Sequence, residues 1–298
     1  MIKKYKFIDL FAGCGGLTEG LLKSGKYIPL SHIEWDPKIA LTLKNRLKNK
    51  WNIDQYKLDD EVITFDLQKT DELLYGNWSE STLKKFKKYN IEKIINKGLD
   101  GLIKDKVDLI VGGPPCQAYS IAGRAQDGDS MKNDYRNYLF ESFVNIVDHF
   151  KPSMFLFENV PGMLSACPGN KPVTERIYKS FNDINYTIKK PEKLHEAVLN
   201  SSNFGVPQNR KRVIIIGLNN KSYNPDLLDT IYKELNSIKI LPKKNVKDAI
   251  ESYPKIYPLK REEKINGIRT SHKEFNSNKS FLNHNPRYHN PRDIKIFS

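Results

Sequence analysis

Apolar positions along this chain keep two rhythms in turn. Short β-branched or aromatic runs at residues 6–11, 27–33, 62–65, 107–111, 154–157 and 213–218 read as buried strands. Between several of them lie stretches with helical spacing, at 17–24, 38–48 and 137–150, the last placing Leu139, Phe140, Phe143, Ile146 and Val147 on one side. Strand and helix in alternation predict an α/β fold, a Rossmann-like sheet with helices on both faces. A further strand is expected within 187–199, ahead of the clean apolar run at 213–218.

Two stretches break the rhythm. Residues 69–106 are polar and Lys-rich, with one helix expected around 83–95, and read as an inserted surface segment. From residue 219 the alternation stops, and Pro225, Pro242, Pro254, Pro258, Pro286 and Pro291 punctuate a polar stretch. A boundary near Asn220 is therefore expected, dividing the chain into a domain at 1–220 and a smaller, irregular one at 221–298.

At 298 residues the chain is long enough for a substantial core. Its net charge of +14 suits a polyanionic partner, although an AT-rich coding bias toward Lys would give the same excess. The distribution says more: residues 239–298 hold 14 Lys and Arg against 6 Asp and Glu, which makes this part the better candidate for touching phosphates. Cys14, Cys116 and Cys167 show no CxxC spacing, so neither a disulfide framework nor a zinc site is expected, and a reducing, cytoplasmic setting is. No signal peptide and no membrane span is visible in the pattern. Between residues 283 and 293 a His and Arg cluster among Asn-Pro turns reads as either a nucleic-acid surface or a solvated loop.

The candidate chemistry sits where strands end. After the first strand, Asp9-Leu10-Phe11-Ala12-Gly13-Cys14-Gly15-Gly16 leads into a helix, an opening suited to a nucleotide cofactor but without dinucleotide-fold glycine spacing. Glu34 closes the second strand, where a carboxylate accepts from ribose hydroxyls, and Trp35 beside it offers either a flat stacking face or core packing. Asp66 ends the third. The fourth runs into Gly112-Gly113-Pro114-Pro115-Cys116-Gln117, where two prolines stiffen the loop that carries the Cys116 sulfur, as presentation of a nucleophile requires. Glu158-Asn159 leave the end of the fifth, and Arg210 and Arg212 precede the last with period two.

These strings, together with Val160 and the stretch 208–212, occur in one order over about three quarters of the chain. Together they resemble the motifs of the DNA cytosine-5 methyltransferases, of bacterial restriction-modification type. The resemblance implies an S-adenosylmethionine-dependent methyltransferase sheet that methylates carbon 5 of a flipped-out cytosine in double-stranded DNA, with S-adenosylhomocysteine as product and no metal. It implies Cys116 as the nucleophile on carbon 6 and Glu158, kept protonated by burial, at ring nitrogen 3. Arg212 would meet the cytosine carbonyl oxygen, Arg210 would tune the surrounding charge, and Asn159 would brace the loop. The implied cofactor site comprises Asp9, Phe11, Ala12, Gly13, Cys14, Gly16, Glu34, Trp35, Asp66, Leu67, Pro115 and Leu139. Gln117, Ser120 and Arg124 would face the DNA.

Other readings stay open from sequence. A transfer-RNA cytosine-5 methyltransferase would share these motifs, though that subgroup's Cys-Phe-Thr tripeptide is not seen. A DNA-binding relative without turnover would keep the fold, but Cys116, Glu158, Arg210 and Arg212 are intact. The family's later Arg-Glu motif and Gly-Asn segment are not found either. The expectation is therefore a target-recognition region that is only begun, with a further C-terminal segment or a second chain completing the fold and covering apolar surface beside the cofactor.

Overall fold

The computed structural model describes residues 3–115, 139–254, 256–265 and 267–274, with Arg292, Lys295 and Ile296. The chain forms two compact units, Met1–Asn200 with Arg210–Lys239, and Ser201–Asn209 with Ile240–Ser298.

Among the described residues, eight strands make the sheet of the first unit: β1 (Tyr5–Leu10), β2 (Tyr27–Glu34), β3 (Val62–Thr64), β4 (Leu109–Gly112), β5 (Met154–Asn159), β6 (Tyr186–Thr187), β7 (Val198–Asn200) and β8 (Lys211–Asn219). Their order is β3-β2-β1-β4-β5-β8-β6, with β7 also paired to β8. β1 to β5 are mutually parallel, and β8 runs antiparallel to its neighbours. The helices described in this unit are α1 (Gly16–Lys23), α2 (Pro37–Trp51), α3 (Gln55–Glu61), α4 (Thr70–Tyr75), α5 (Glu80–Phe86), α6 (Glu92–Leu102), α7 (Leu139–Phe150), α8 (Val173–Asp183) and α9 (Leu227–Ser237).

Local chemistry sets the boundaries. Asp36 caps α2 by accepting from the backbone N–H groups of Lys38 and Ile39, Pro37 takes the first helical position, and Asn52 ends the helix in the left-handed region. The apolar stripe of α7 lies against one face of the sheet. There Phe143 stands edge-on to Phe155 and Phe157 at 5.7 and 5.3 Å, and Phe181 of α8 stacks on Phe155 at 4.1 Å. On another part of the sheet, Leu17 and Leu21 of α1 lie over Phe7, Leu109 and Val111.

Three sequence expectations need correction. Residues 69–106 are no mere surface insert, because Leu73, Leu74, Trp78, Phe86, Ile94, Ile95 and Leu99 are buried in the main core. The Lys-rich composition hides them: the charged residues occupy the outer faces of three short helices. The strand expected within 187–199 is split into β6 and β7 by a 3₁₀ turn that Pro191 initiates. Beyond residue 219 the chain is more regular than expected. In α9, Leu228 and Tyr232 are buried, and the Tyr232 hydroxyl donates to the Ile214 carbonyl and accepts from the Ile216 N–H, both at 2.8 Å. Those bonds hold Arg210–Lys239 within the first unit, whereas the sequence pattern suggests a break near Asn220.

In the second unit, a short helix α10 (Val246–Ile250) begins with a capping box between Asn245 and Asp248. The Ile240 N–H donates to the Asn203 carbonyl at 2.9 Å. Strands β9 (Ile256–Ile265) and β10 (Ile268–Glu274) form an antiparallel pair. Among the described residues, no helix is long and apolar enough to cross a membrane.

Candidate active site

Where the parallel strands β1 to β4 end, the sheet opens onto a cavity of about 240 Å³. Phe11, Ile33, Glu34, Trp35, Ile39, Phe65, Asp66, Leu67, Gln68, Gly113, Pro115 and Leu139 line it. The carboxyl edge of a parallel sheet is where side chains from several strands converge without competing for ladder bonds. The first wall is set by backbone geometry. Phe11 has φ of 56°, a left-handed conformation that a bulky residue adopts only under constraint, and Gly15 with φ of 84° caps α1.

Glu34 holds that turn. One carboxylate oxygen accepts from the Gly13 N–H and the other from the Asp36 N–H, both at 2.9 Å. Each oxygen keeps a lone pair for a further donor. Asp66 is held in a similar way: its Oδ1 accepts from the Gln68 backbone N–H at 3.1 Å and side-chain amide at 3.3 Å. Trp35 lines the same cavity and is 55% exposed, so it is not a core residue. Two carboxylates with spare acceptor capacity, a flat indole and apolar walls from Phe65 and Leu139 can hold a nucleoside by its hydroxyls, its amino group and its ring face.

Asp9 lies beneath this site and does not line the cavity. It is buried, its Oδ2 accepting from the Thr18 hydroxyl at 2.6 Å while Oδ1 has no partner. Burial away from water pushes its carboxyl up to about 7, against the opposing pull of the Thr18 hydrogen bond. Beside it in the register is His32, buried with both ring nitrogens unpartnered, and burial lowers it to about 4.

A second group of polar side chains gathers where β4 and β5 end and β8 begins. The Arg212 Nε lies 2.8 Å from Glu158 Oε1. Gly113 is what lets the carboxylate in, since a Cβ there would stand 2.6 Å from Glu158 Oε2. Asn159 is fully buried, accepting from the Val160 N–H at 2.8 Å and donating to the Pro114 carbonyl at 3.5 Å. It thereby ties β5 to the root of the loop after β4. Glu158 departs from the sequence expectation in its environment: its side chain is 29% exposed and ion-paired, not buried, because alternate residues of β5 point toward the less covered face. Arg210 is exposed just ahead of β8.

Of the cofactor residues expected from sequence, Phe11, Glu34, Trp35, Asp66, Leu67, Pro115 and Leu139 line the cavity. Ala12, Gly13 and Cys14 belong to the adjoining turn, with the Cys14 thiol exposed, and Gly16 opens α1. Cys116, Gln117, Ser120 and Arg124 lie outside the described residues, as does the 283–293 stretch apart from Arg292. Sequence reasoning missed Ile33, Ile39, Phe65, Gln68 and Gly113. Ile33 and Phe65 were legible in principle, being the last apolar residues of their runs, whereas Gln68 enters through the turn that Asp66 organises.

Comparison with known proteins agrees with this architecture. The family described as C-5 cytosine-specific DNA methylase matches residues 5–85 and 75–293. The type II methyltransferase M.Bpa9945I of Bacillus paralicheniformis is 37% identical over 241 residues, 72% of this chain and 54% of that protein. M1.HphI of Haemophilus parahaemolyticus, also a type II methyltransferase, is 30% identical over 71% of this chain and 45% of its own. The chain thus spans about half the length of the curated relatives it matches. Among solved structures, S. pombe Dnmt2 methyltransferase shares the fold, with a TM-score of 0.52 at 17% identity, over 85% of this chain and 62% of that one. By its family match across nearly its whole length, and with a sheet of the corresponding order, the chain belongs to the C-5 cytosine-specific DNA methylases.

Proposed function

We propose that this chain carries the catalytic machinery of the modification enzyme of a restriction-modification pair, acting in a prokaryotic cytoplasm on carbon 5 of cytosine in double-stranded DNA. The observation that carries this reading is the packing of Glu158, ion-paired with Arg212, against Gly113 at the root of the Pro114-Pro115 loop that leads to Cys116, with Pro115 itself lining the nucleoside-sized cavity. A cofactor pocket and a charged pair suited to a pyrimidine ring share one loop.

The cofactor is S-adenosylmethionine, which supplies an electrophilic methyl on a sulfonium and leaves as S-adenosylhomocysteine. Glu34 takes the ribose hydroxyls, Asp66 the adenine amino group and Trp35 the adenine face. Phe11, Ala12, Gly13, Cys14 and Gly16 surround the rest, Leu67 and Leu139 close the apolar wall, and Asp9 supports the turn from below. Carbon 5 of cytosine is a poor nucleophile until the ring is activated. The Cys116 thiolate adds to carbon 6, moving electron density to carbon 5 and toward ring nitrogen 3, where Glu158 supplies the proton; once carbon 5 carries the methyl, its hydrogen leaves as a proton to a base and the Cys116 sulfur is eliminated from carbon 6, freeing the enzyme. Arg212 faces the cytosine carbonyl while orienting Glu158, and Arg210 adds positive charge that favours the thiolate. Addition needs approach from above the ring plane, so the base must leave the duplex, with Gln117, Ser120 and Arg124 toward the DNA.

The test is labelled methyl incorporation into duplex DNA and into transfer RNA, beside a cofactor-binding measurement, for the native protein and Cys116→Ser. Incorporation into DNA that disappears in the Ser variant while cofactor binding persists is expected. Full turnover by the variant would sink the nucleophile assignment, and transfer to RNA alone would replace the substrate.

A further inference from the structure

Lys85, in the Lys-rich segment, reaches the rim of the cavity: its Nζ stands 5.5 Å from the centre of the Trp35 ring and 3.9 Å from Asp66 Oδ2. It also lies 4.8 Å from the ring centre of its neighbour Phe86, which is buried against Phe65 at 5.5 Å. Phe65 in turn lines the cavity, whereas Lys85 does not. The ammonium therefore lies against the indole without lining the cavity.

We propose that Lys85 is a positioning residue for the cofactor, fixing the Trp35 ring and the Asp66 carboxylate in the orientation that receives adenine. This rests on the reading of the cavity as an S-adenosylmethionine site. An exposed indole alone would sample several rotamers and lose that freedom on stacking, and a cation held over one face removes part of the cost beforehand. The same cation draws Asp66 Oδ2 toward Trp35, while Gln68 holds Oδ1 from the other side.

A residue that acts only on the adenosine end stabilises every adenosine-bearing ligand alike. S-adenosylmethionine and S-adenosylhomocysteine should thus lose affinity by one common factor when Lys85 is removed, with KM raised and kcat unchanged.

The test uses the full chain with Lys85→Met and Lys85→Arg, titrating both ligands by calorimetry and measuring acrylamide quenching of tryptophan fluorescence without ligand. Lys85→Met should weaken both ligands equally, by about two- to fivefold, the worth of an exposed cation–π contact. It should also increase quenching, since Trp35 is the exposed indole, Trp51 is half-buried and Trp78 is buried. Lys85→Arg should restore both readings, and in a Trp35→Ala background Lys85→Met should cost less than in the native chain, only the Asp66 contact remaining to be lost. Unchanged affinity in Lys85→Met, a loss confined to one ligand, or an equal loss without Trp35 would each overturn the proposal. If the native chain bound neither ligand, the cofactor reading would fail by itself, and the quenching arm would still decide whether Lys85 holds Trp35.

Discussion

Asp9 shows how a single carboxyl under the cofactor turn shapes the pH response. Its ordinary value of 3.8 is raised to about 7 by burial, so between those limits the folded chain binds a proton that the unfolded chain has released. Stability from this group is full below about pH 4, falls as pH rises toward 7, and stays at the lower level above it. His32, lowered to about 4, acts in the opposite sense below its ordinary 6.5, so a whole-protein curve mixes the two. Asp9→Asn isolates the first, because an amide oxygen can still accept from Thr18. The variant should gain on the native chain between pH 4 and pH 8, by up to roughly 4 kcal/mol at about 1.4 kcal/mol per unit, read from urea melts at both pH values. An equal difference at the two would mean that Asp9 titrates normally. Glu34 offers a second residue-scale check. Glu34→Ala orphans the Gly13 and Asp36 N–H groups as well as the proposed ribose, and should weaken S-adenosylmethionine by about 1–3 kcal/mol in calorimetry.

At the scale of elements, the turn from β4 into its loop separates stability from activity. Alanine at Gly112 would place a Cβ 2.5 Å from the Leu10 carbonyl oxygen, a backbone atom in the adjacent strand, and should cost about 1–3 kcal/mol in a denaturant melt. Alanine at Gly113 meets the tip of the Glu158 side chain, which can swing aside. Gly113→Ala should therefore melt within about 1 kcal/mol of the native chain while losing methyl incorporation roughly tenfold or more, as Glu158 leaves Arg212. Equal effects of the two substitutions on stability would refute this division. The same elements show what sequence makes legible. Strands β1 to β5 were visible because buried parallel strands need continuous apolar runs, and Glu34 was visible because strand ends carry the chemistry of such sheets. The burial of Trp78 and Phe86 was not, since their helices are short and Lys covers the outer faces. Nor was the direct Glu158–Arg212 contact, which depends on β8 running antiparallel beside β5.

For the whole molecule, the distribution of buried side chains predicts what can be removed. Every buried apolar residue among those described lies between Phe7 and Tyr232, and none falls in Ser201–Asn209 or Ile240–Ser298. The cavity draws its lining from residues 11 to 139 alone. The basic surplus is distributed the other way, with 14 Lys and Arg against 6 Asp and Glu over residues 239–298. The cavity and the core thus belong to one unit, and most of the basic surplus belongs to the other. A chain ending at Lys239 keeps α9, and with it the hydroxyl of Tyr232 on β8, so its sheet retains every hydrogen bond described within it. This shortened chain should unfold cooperatively, with a midpoint within a few degrees of the full chain, and bind S-adenosylmethionine within about twofold. Its affinity for duplex DNA should fall roughly tenfold or more at low salt and depend less steeply on salt, because fewer counterions are released. Loss of the folded state on truncation would show that residues 240–298 complete the core. Undiminished DNA binding with the same salt slope would place the phosphate contacts on the sheet unit.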